Sequence, residues 1–278
     1  PESAGFGRKI DKLPPGGTPS SELVRELGDA LGQTWHPELL HRISESEAAT
    51  PVDSGFFKSE RATLRLNVAV AFDDAFFRYF PCFLDLLEAR GATVVDFSPL
   101  RDEHLPPDAD VVLLGGGLPE RHALTLAENH CMKTALRNHV RWGKRIYGEG
   151  GGLALLCQQM VSPEGEQFRM AGLLPAVARS QRSPSQPTPV ETVLSRPNWM
   201  GRAGVAVRGY RDPGWTIEPI GNHADFVTCG EESLDLIGTF QTVGSLLEIH
   251  FGSQANLLNH LFYPHLCAPP TADPWRNS

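Results

Sequence analysis

Positive charge, paired cysteines and long apolar runs are all scarce in this sequence, and each scarcity excludes a class of function. Lys and Arg together number 25 against 33 Asp and Glu, a formal charge of -8. Such a field repels a phosphate backbone and an anionic membrane surface, so neither nucleic acid nor membrane is an expected partner. The longest apolar run, Val68 to Phe72, is far short of the roughly 20 residues of a membrane span. The N-terminus lacks the basic-then-apolar order of a signal peptide, and a cytoplasmic location is the expectation. The five cysteines (Cys82, Cys131, Cys157, Cys229 and Cys267) are odd in number and stand singly, which gives neither a disulfide framework nor a CxxC pair. Ten histidines are present, but no HExxH and no zinc-like grouping with cysteine, so no metal is expected. The chain opens on Pro1 without a methionine, which fits a processed or excised piece.

What is there reads as 278 residues, 41% of them hydrophobic, enough for one large core. Residues 1–62 form an N-terminal extension and linker. Within it, Ser20 and Ser21 can cap one helix carrying Leu23, Val24, Leu27, Ala30 and Leu31, and Pro37 can open a second. Residues 63–266 form the main domain, and the Pro-rich residues 267–278 a tail. From residue 64 to about 160, strands and helices alternate. Strand signals fall at residues 66–72, 92–97, 110–114 and 145–147, with helices at 81–90 and, in one long stretch, 120–142. That rhythm belongs to a parallel sheet covered on both faces. Residues 176–197, rich in Ser, Arg, Gln and Pro, read as a mobile loop; residues 204–208, 226–229 and 245–251 read as strands, and 254–261 as the last helix.

Ligands of an open parallel sheet sit beyond the carboxyl ends of its strands. Two glycine-rich segments leave strands there: Gly115-Gly116-Gly117-Leu118-Pro119-Glu120 and Tyr147-Gly148-Glu149-Gly150-Gly151-Gly152-Leu153. The first can aim amide hydrogens at an oxyanion, and the second has the strand-to-helix form of a nucleophile elbow. Glycines alone fit plain tight turns better than a site. Asp73 and Asp74 follow the first strand and suit a helix N-terminus better than a ligand contact. Phe76, Phe77, Tyr79 and Phe80 form an aromatic cluster that suits core or an interface better than a macrocycle pocket. His122, His130 and His139 are expected on one helix and partly exposed.

These two segments, with Asn67 to Phe77, Met170-Ala171-Gly172-Leu173-Leu174-Pro175 and Gly244-Ser245-Leu246-Leu247-Glu248-Ile249-His250-Phe251, resemble in order and spacing the amidotransferase half of cobyrinate a,c-diamide synthase. Residues 1–46 look like the tail that precedes this half. The resemblance implies a flavodoxin-like, three-layer α/β fold of the class I amidotransferase type with a mostly parallel sheet. It also implies a glutaminase that feeds ammonia to an ATP-binding domain acting on a corrin ring. No phosphate-cradling GxxxxGK[ST] loop occurs in this chain, so either a separate synthetase subunit or upstream sequence supplies ATP binding, or the function no longer needs it.

The departures from the family are specific. Its elbow reads ECGG, with cysteine as nucleophile, and Gly150 stands in that place. Its YLHLHF pattern carries the catalytic histidine where Glu248 stands, while His250 matches the second histidine. Glycine offers no thiolate, and a carboxylate is no substitute for imidazole near neutrality. Near Arg208 and Gly209, where the family shows RGHEFHYS, Tyr210 and Arg211 replace its His-Glu pair. Cys157, placed two turns into the helix after the elbow, reads as core rather than as a displaced nucleophile.

The expectation is therefore a pseudo-amidotransferase without glutaminase activity, with Gly150 and Glu248 as degenerate positions. Gly115, Gly116, Gly117, Glu149, Gly151, Glu248 and His250 remain as candidate ligand-binding residues. No resident cofactor is expected; a corrinoid or other tetrapyrrole ligand, a protein partner and a homo-oligomer are compatible. Two alternatives stand beside it. One is an enzyme of changed chemistry using Glu149, Glu248 and His250, and the other is the ammonia-using half of a tetrapyrrole amidation complex.

Overall fold

The computed structural model describes residues 20–34, 36–45, 65–182, 186–221, 234–239 and 241–262. The chain divides into two compact units, residues 1–56 and 57–278. In the first, helix α1 (Ser21–Thr34) begins with the Ser20 hydroxyl accepting the Leu23 amide hydrogen at 3.2 Å, and α2 (Pro37–Glu45) opens on its proline.

The second unit is built on a six-stranded sheet. Its elements run β1 (Asn67–Ala71), β2 (Phe76–Arg78), α3 (Pro81–Ala89), β3 (Thr93–Phe97), β4 (Val111–Leu114), β5 (Gly116–Gly117), α4 (Ala123–Glu128), α5 (His130–Arg141), β6 (Arg145–Glu149) and α6 (Gly151–Leu156). They continue with β7 (Cys157–Val161), β8 (Gln167–Arg169), β9 (Leu174–Ser180), β10 (Thr188–Val193), β11 (Ala206–Arg211), β12 (Trp215–Pro219), β13 (Leu236–Gly238), β14 (Thr242–Ser245), β15 (Leu247–Glu248) and α7 (Ala255–Phe262). The central order is β13-β14-β6-β4-β1-β3, parallel except at the β13 edge. Strands β1, β4 and β6 are buried along most of their length, which is why β1 and β4 read as apolar runs rather than alternating ones. A second sheet, β12-β9-β7-β8, packs its Met160, Leu174, Ala176 and Ala178 into the same core as Leu114, Ile146 and Leu153.

Helix α6 lies wholly inside this core. Its close approach to β4 requires glycine: a Cβ at Gly152 would stand 1.9 Å from the Leu114 carbonyl oxygen. The parallel registers align the carboxyl ends of β1, β4, β6 and β14, so the segments after Ala71, Leu114, Glu149 and Ser245 meet at one edge.

Several sequence expectations are corrected. The single helix over residues 120–142 is a 3-10 turn (Pro119–His122) and two α-helices, because Asn129 leaves helical geometry and its side chain caps α5 through the Met132 amide hydrogen at 3.0 Å. His122, His130 and His139 therefore sit on different elements or faces. His139 is buried, its Nε2 3.1 Å from the Arg145 carbonyl oxygen, and burial lowers its pKa to about 4. The loop expected at residues 176–197 contains β9 and β10, paired with β12 and β11, so hydrogen bonding to distant strands overrides its Ser- and Pro-rich composition. The strand at 245–251 is broken at Leu246 into β14 and β15. Cys157 begins β7 rather than sitting in a helix; it is buried, and burial pushes its thiol far up. Asp73 opens no helix: its carboxylate accepts the Ala75, Phe76 and Leu100 amide hydrogens and the Ser98 hydroxyl, fixing the turn before β2. The strand expected at 226–229 and the tail at 267–278 lie outside the described residues. No helix among the described residues is long and apolar enough to cross a membrane.

Candidate functional site

The glycine edge is built by hairpin β2/β5, the elbow after β6 and the β11/β15 pair. Gly150 has φ 52° and ψ -111°, the sharp strand-to-helix turn of a nucleophile elbow, and it has no side chain to present. A Cβ added there would stand 2.6 Å from Asp212 Oδ2. A side chain at this position would therefore require the Asp212 carboxylate to shift.

That carboxylate belongs to an ion triad. Arg78 Nη2 lies 2.6 Å from Asp212 Oδ2 and 2.7 Å from Glu248 Oε1. Asp212 is held from behind by the Gly214 amide hydrogen at 2.8 Å, and its own amide hydrogen goes to the Leu246 carbonyl oxygen, tying β11 to the turn before β15. Arg78 reaches across because β2 pairs with β5 with Arg78 opposite Gly116. A Cβ at Gly116 would meet Arg78 Nε at 2.7 Å, so the glycine lets the guanidinium lie flat over the strand.

Beneath the triad sits Glu149, with a buried carboxylate. Its Oε1 accepts the Ile249 amide hydrogen at 2.5 Å and lies 3.3 Å from the Tyr147 hydroxyl. Burial, with the neighbouring Glu248 charge adding to it, raises its pKa to about 8 against the lowering pull of the Ile249 amide and Arg78. Burial and Asp212 also raise the Glu248 carboxyl, and Arg78 opposes them. The cavity left between Arg78, Tyr79, Phe80, Gly116, Glu149 and Glu248 has a volume of about 50 Å³. A water occupies roughly 30 Å³ of liquid, so this space suits one or two waters and not an amino acid.

The first glycine segment is committed elsewhere. The Gly115 amide hydrogen is accepted by the Tyr79 hydroxyl at 2.8 Å, and that hydroxyl donates to the Ala71 carbonyl oxygen at 2.6 Å. Gly117 pairs with Phe76, while Gly151 abuts Pro119. The Gly150 amide hydrogen goes to the Ser245 carbonyl oxygen at 2.8 Å. Tyr79→Phe removes both bonds of a buried hydroxyl and leaves the Gly115 amide without an acceptor. The expected loss is about 1–2 kcal/mol in urea denaturation, and an unchanged midpoint would show that the hydroxyl does not hold this edge.

Of the candidate residues, the structure brings Gly116, Glu149 and Glu248 onto one small cavity. His250 does not line it. Its Nδ1 accepts the Ser253 amide hydrogen at 3.2 Å, its Nε2 lies 3.1 Å from Cys82 Sγ, and Phe80 meets the ring edge-on at 5.1 Å. Among the described residues no group of three or more His, Cys, Asp or Glu could hold a metal ion. Arg78 and Asp212 were missed from sequence. Their signal is slight: one arginine inside the aromatic run at residues 76–80, and an aspartate 134 positions later.

Comparison with known proteins adds to this geometry. Residues 67–210 match the CobB/CobQ-like glutamine amidotransferase domain. A cobyrinate a,c-diamide synthase of Syntrophotalea carbinolica is 34% identical over 191 residues, covering 69% of this chain and 41% of that protein. The synthase of Synechocystis sp. is 31% identical over 232 residues, covering 81% of this chain and 47% of that protein. The chain thus spans less than half the length of these relatives. Among solved structures, a glutamine amidotransferase superposes with a TM-score of 0.52 at 16% identity, over 71% of this chain and 97% of its own. PurLQS from Thermotoga maritima gives 0.52 at 15%, over 73% and 100%. At these identities the two structures show the class I amidotransferase fold alone.

Proposed function

The chain belongs to the CobB/CobQ-like glutamine amidotransferase domain family, and from that premise we propose that it is a member without glutaminase activity, acting by binding rather than by hydrolysis. The observation that carries this reading is the elbow. Gly150 supplies no nucleophile, and the Asp212 carboxylate, paired with Arg78, stands 2.6 Å from where its Cβ would be. Thioester formation from glutamine needs a thiolate at the elbow, a base beside it and room for the substrate. Here the elbow residue is glycine, the position matched to the base is Glu248 in an ion pair, and the adjoining cavity is about 50 Å³.

The similar cobyrinate a,c-diamide synthases support a choice of ligand or partner class. A corrinoid or related tetrapyrrole, or a synthetase subunit that carries ATP, is the class of partner this reading assigns. The role is then to hold a ring or a subunit while ammonia, if any is used, comes from elsewhere.

The test joins two readouts in one sample. The purified protein is titrated with a corrinoid, nickel sirohydrochlorin and heme while absorption and ammonia are followed. The expected result is a saturable spectral shift with one ring and ammonia no higher than in the protein-free blank. Ammonia release from glutamine overturns the non-hydrolytic reading. A flat titration with every ring removes the tetrapyrrole and leaves the subunit as partner, to be read by co-purification with a synthetase of the family.

A further inference from the structure

A cleft remote from the glycine edge gathers cations, and among the described residues that line it none is acidic. Its volume is about 760 Å³, and it lies between the first half of α5, strand β7 and the residues following β8. His130, Lys133 and Arg137 come from α5 at the i, i+3 and i+7 positions of one helical face. Gln158, Gln159 and Arg169 face them. No described residue forms an ion pair with Lys133, Arg137 or Arg169. In a chain of net charge -8, three strong cations sharing one cleft with no carboxylate are not the by-product of a basic surface.

The donors of this cleft are largely unspent. Lys133 is buried, and its ammonium donates to the carbonyl oxygens of Ala127 and Arg169, the latter at 3.2 Å, which leaves one of its three hydrogens. Arg137 donates through Nε to the Ala171 carbonyl oxygen at 2.7 Å, which orients the guanidinium and leaves its two terminal NH2 groups. The Arg169 side chain is exposed and donates to no described protein group. Burial, with the nearby Arg137 charge adding to it, lowers the Lys133 pKa, as expected for a cation held among carbonyl dipoles and a like charge.

We propose that this cleft is a binding site for a small oxyanion carrying two or more negative charges, held between Lys133, Arg137 and Arg169. Planar guanidinium groups match the paired oxygens of phosphate and carboxylate alike, and a buried ammonium adds a point charge. Gln158 and Gln159 supply neutral amide donors at the rim. A cleft of this volume accepts a ligand of the size of a phosphorylated or polycarboxylate metabolite. The inference is independent of the reading of the glycine edge, because none of these residues contributes to that edge.

The test is a calorimetric titration of the whole chain with pyrophosphate and, separately, with citrate at about 0.1 M salt, where weak surface attraction is screened. Saturable one-site binding of either is expected, the tighter of the two telling phosphoryl from carboxylate chemistry. Arg169→Gln removes an exposed side chain that bonds no described protein group, so it tests the site with little disturbance to the described fold. It and Arg137→Gln are each expected to weaken binding by about tenfold or more, as loss of a charge-assisted pair does. Arg65→Gln, at an exposed arginine outside the cleft, keeps the affinity. Binding that Arg169→Gln and Arg137→Gln leave unchanged overturns the site, as does the absence of binding by both anions.

Discussion

Replacing Arg78 with methionine is expected to cost about 2–3 kcal/mol of stability at pH 7.5, read by urea denaturation. The value follows from what is left behind. Asp212 and Glu248 are 8% and 22% exposed in their side chains, and Arg78 is the cation between them. Removing one partner of a buried pair strands the other as an uncompensated charge, typically at about 3–5 kcal/mol. Arg78 itself is 48% exposed, so water screens part of that loss and the lower figure applies. Methionine keeps the unbranched stem, which confines the change to the charge. Two further measurements separate electrostatics from packing. At pH 5 the deficit shrinks, because the Glu248 carboxyl, raised by burial and no longer held down by Arg78, takes up a proton. Adding Asp212→Asn to Arg78→Met recovers part of the loss, since fewer like charges then face one another. A deficit that ignores pH and Asp212 would mean that the arginine acts by packing alone and that the triad does not fill the elbow.

The same variant bears on function. The ion triad ties β2 to Asp212 and Glu248 beside the elbow. Restoring a cysteine at position 150 alone meets two obstacles at once: φ 52° is strained for any residue with a Cβ, and Asp212 Oδ2 is 2.6 Å from the new atom. A cysteine at this position therefore needs the Asp212 side chain to move as well as the strained backbone to be tolerated.

Legibility of the sequence followed the reach of each interaction. Strands β1 and β4 were readable because a strand covered on both faces is mostly apolar, and Val68 to Ala71 and Val111 to Leu114 are. The elbow was readable from the resemblance of its segment to the family, since the glycines alone better fit a plain tight turn. Asn129 was not recognised as a break, since its effect depends on its side chain capping α5 and donating to the carbonyl oxygens of Pro99 and Asp102. Strands β9 and β10 were hidden because their partners β12 and β11 come later in the chain, and pairing at such separations overrides local composition. The Arg78–Asp212 contact spans 134 positions. Nothing local to either residue announces it, so the candidate site was known from its glycines and from Glu149 and Glu248, but not from the cation that unites it.

Glu149 provides the second large effect, a loss of stability on the alkaline side that a single substitution removes. Its carboxyl has a pKa of about 8 in the fold against 4.5 when unperturbed. Between those values the native state holds a proton that the unfolded chain has released, so stability falls as pH rises, by at most about 1.4 kcal/mol per pH unit. The raised carboxyls of Glu248 and Glu120 act in the same direction. His139 acts in the other: its buried imidazole titrates at about 4 against 6.5 unperturbed. The unfolded chain therefore binds the extra proton between those values, and stability rises with pH there. The two slopes oppose one another up to about pH 6.5, and above it only the carboxyls remain. The expected profile is a plateau from about pH 4.5 to 6.5, followed by a fall of about 2 kcal/mol by pH 8. Glu149→Gln keeps an oxygen to accept the Ile249 amide hydrogen and removes the titration, so it should flatten the alkaline limb and be more stable than the parent at pH 8. A parent profile that is level from pH 6.5 to 8, or a Glu149→Gln variant that falls as steeply, would mean that the buried carboxyl is ionised at neutral pH and that Arg78 compensates three carboxylates rather than two.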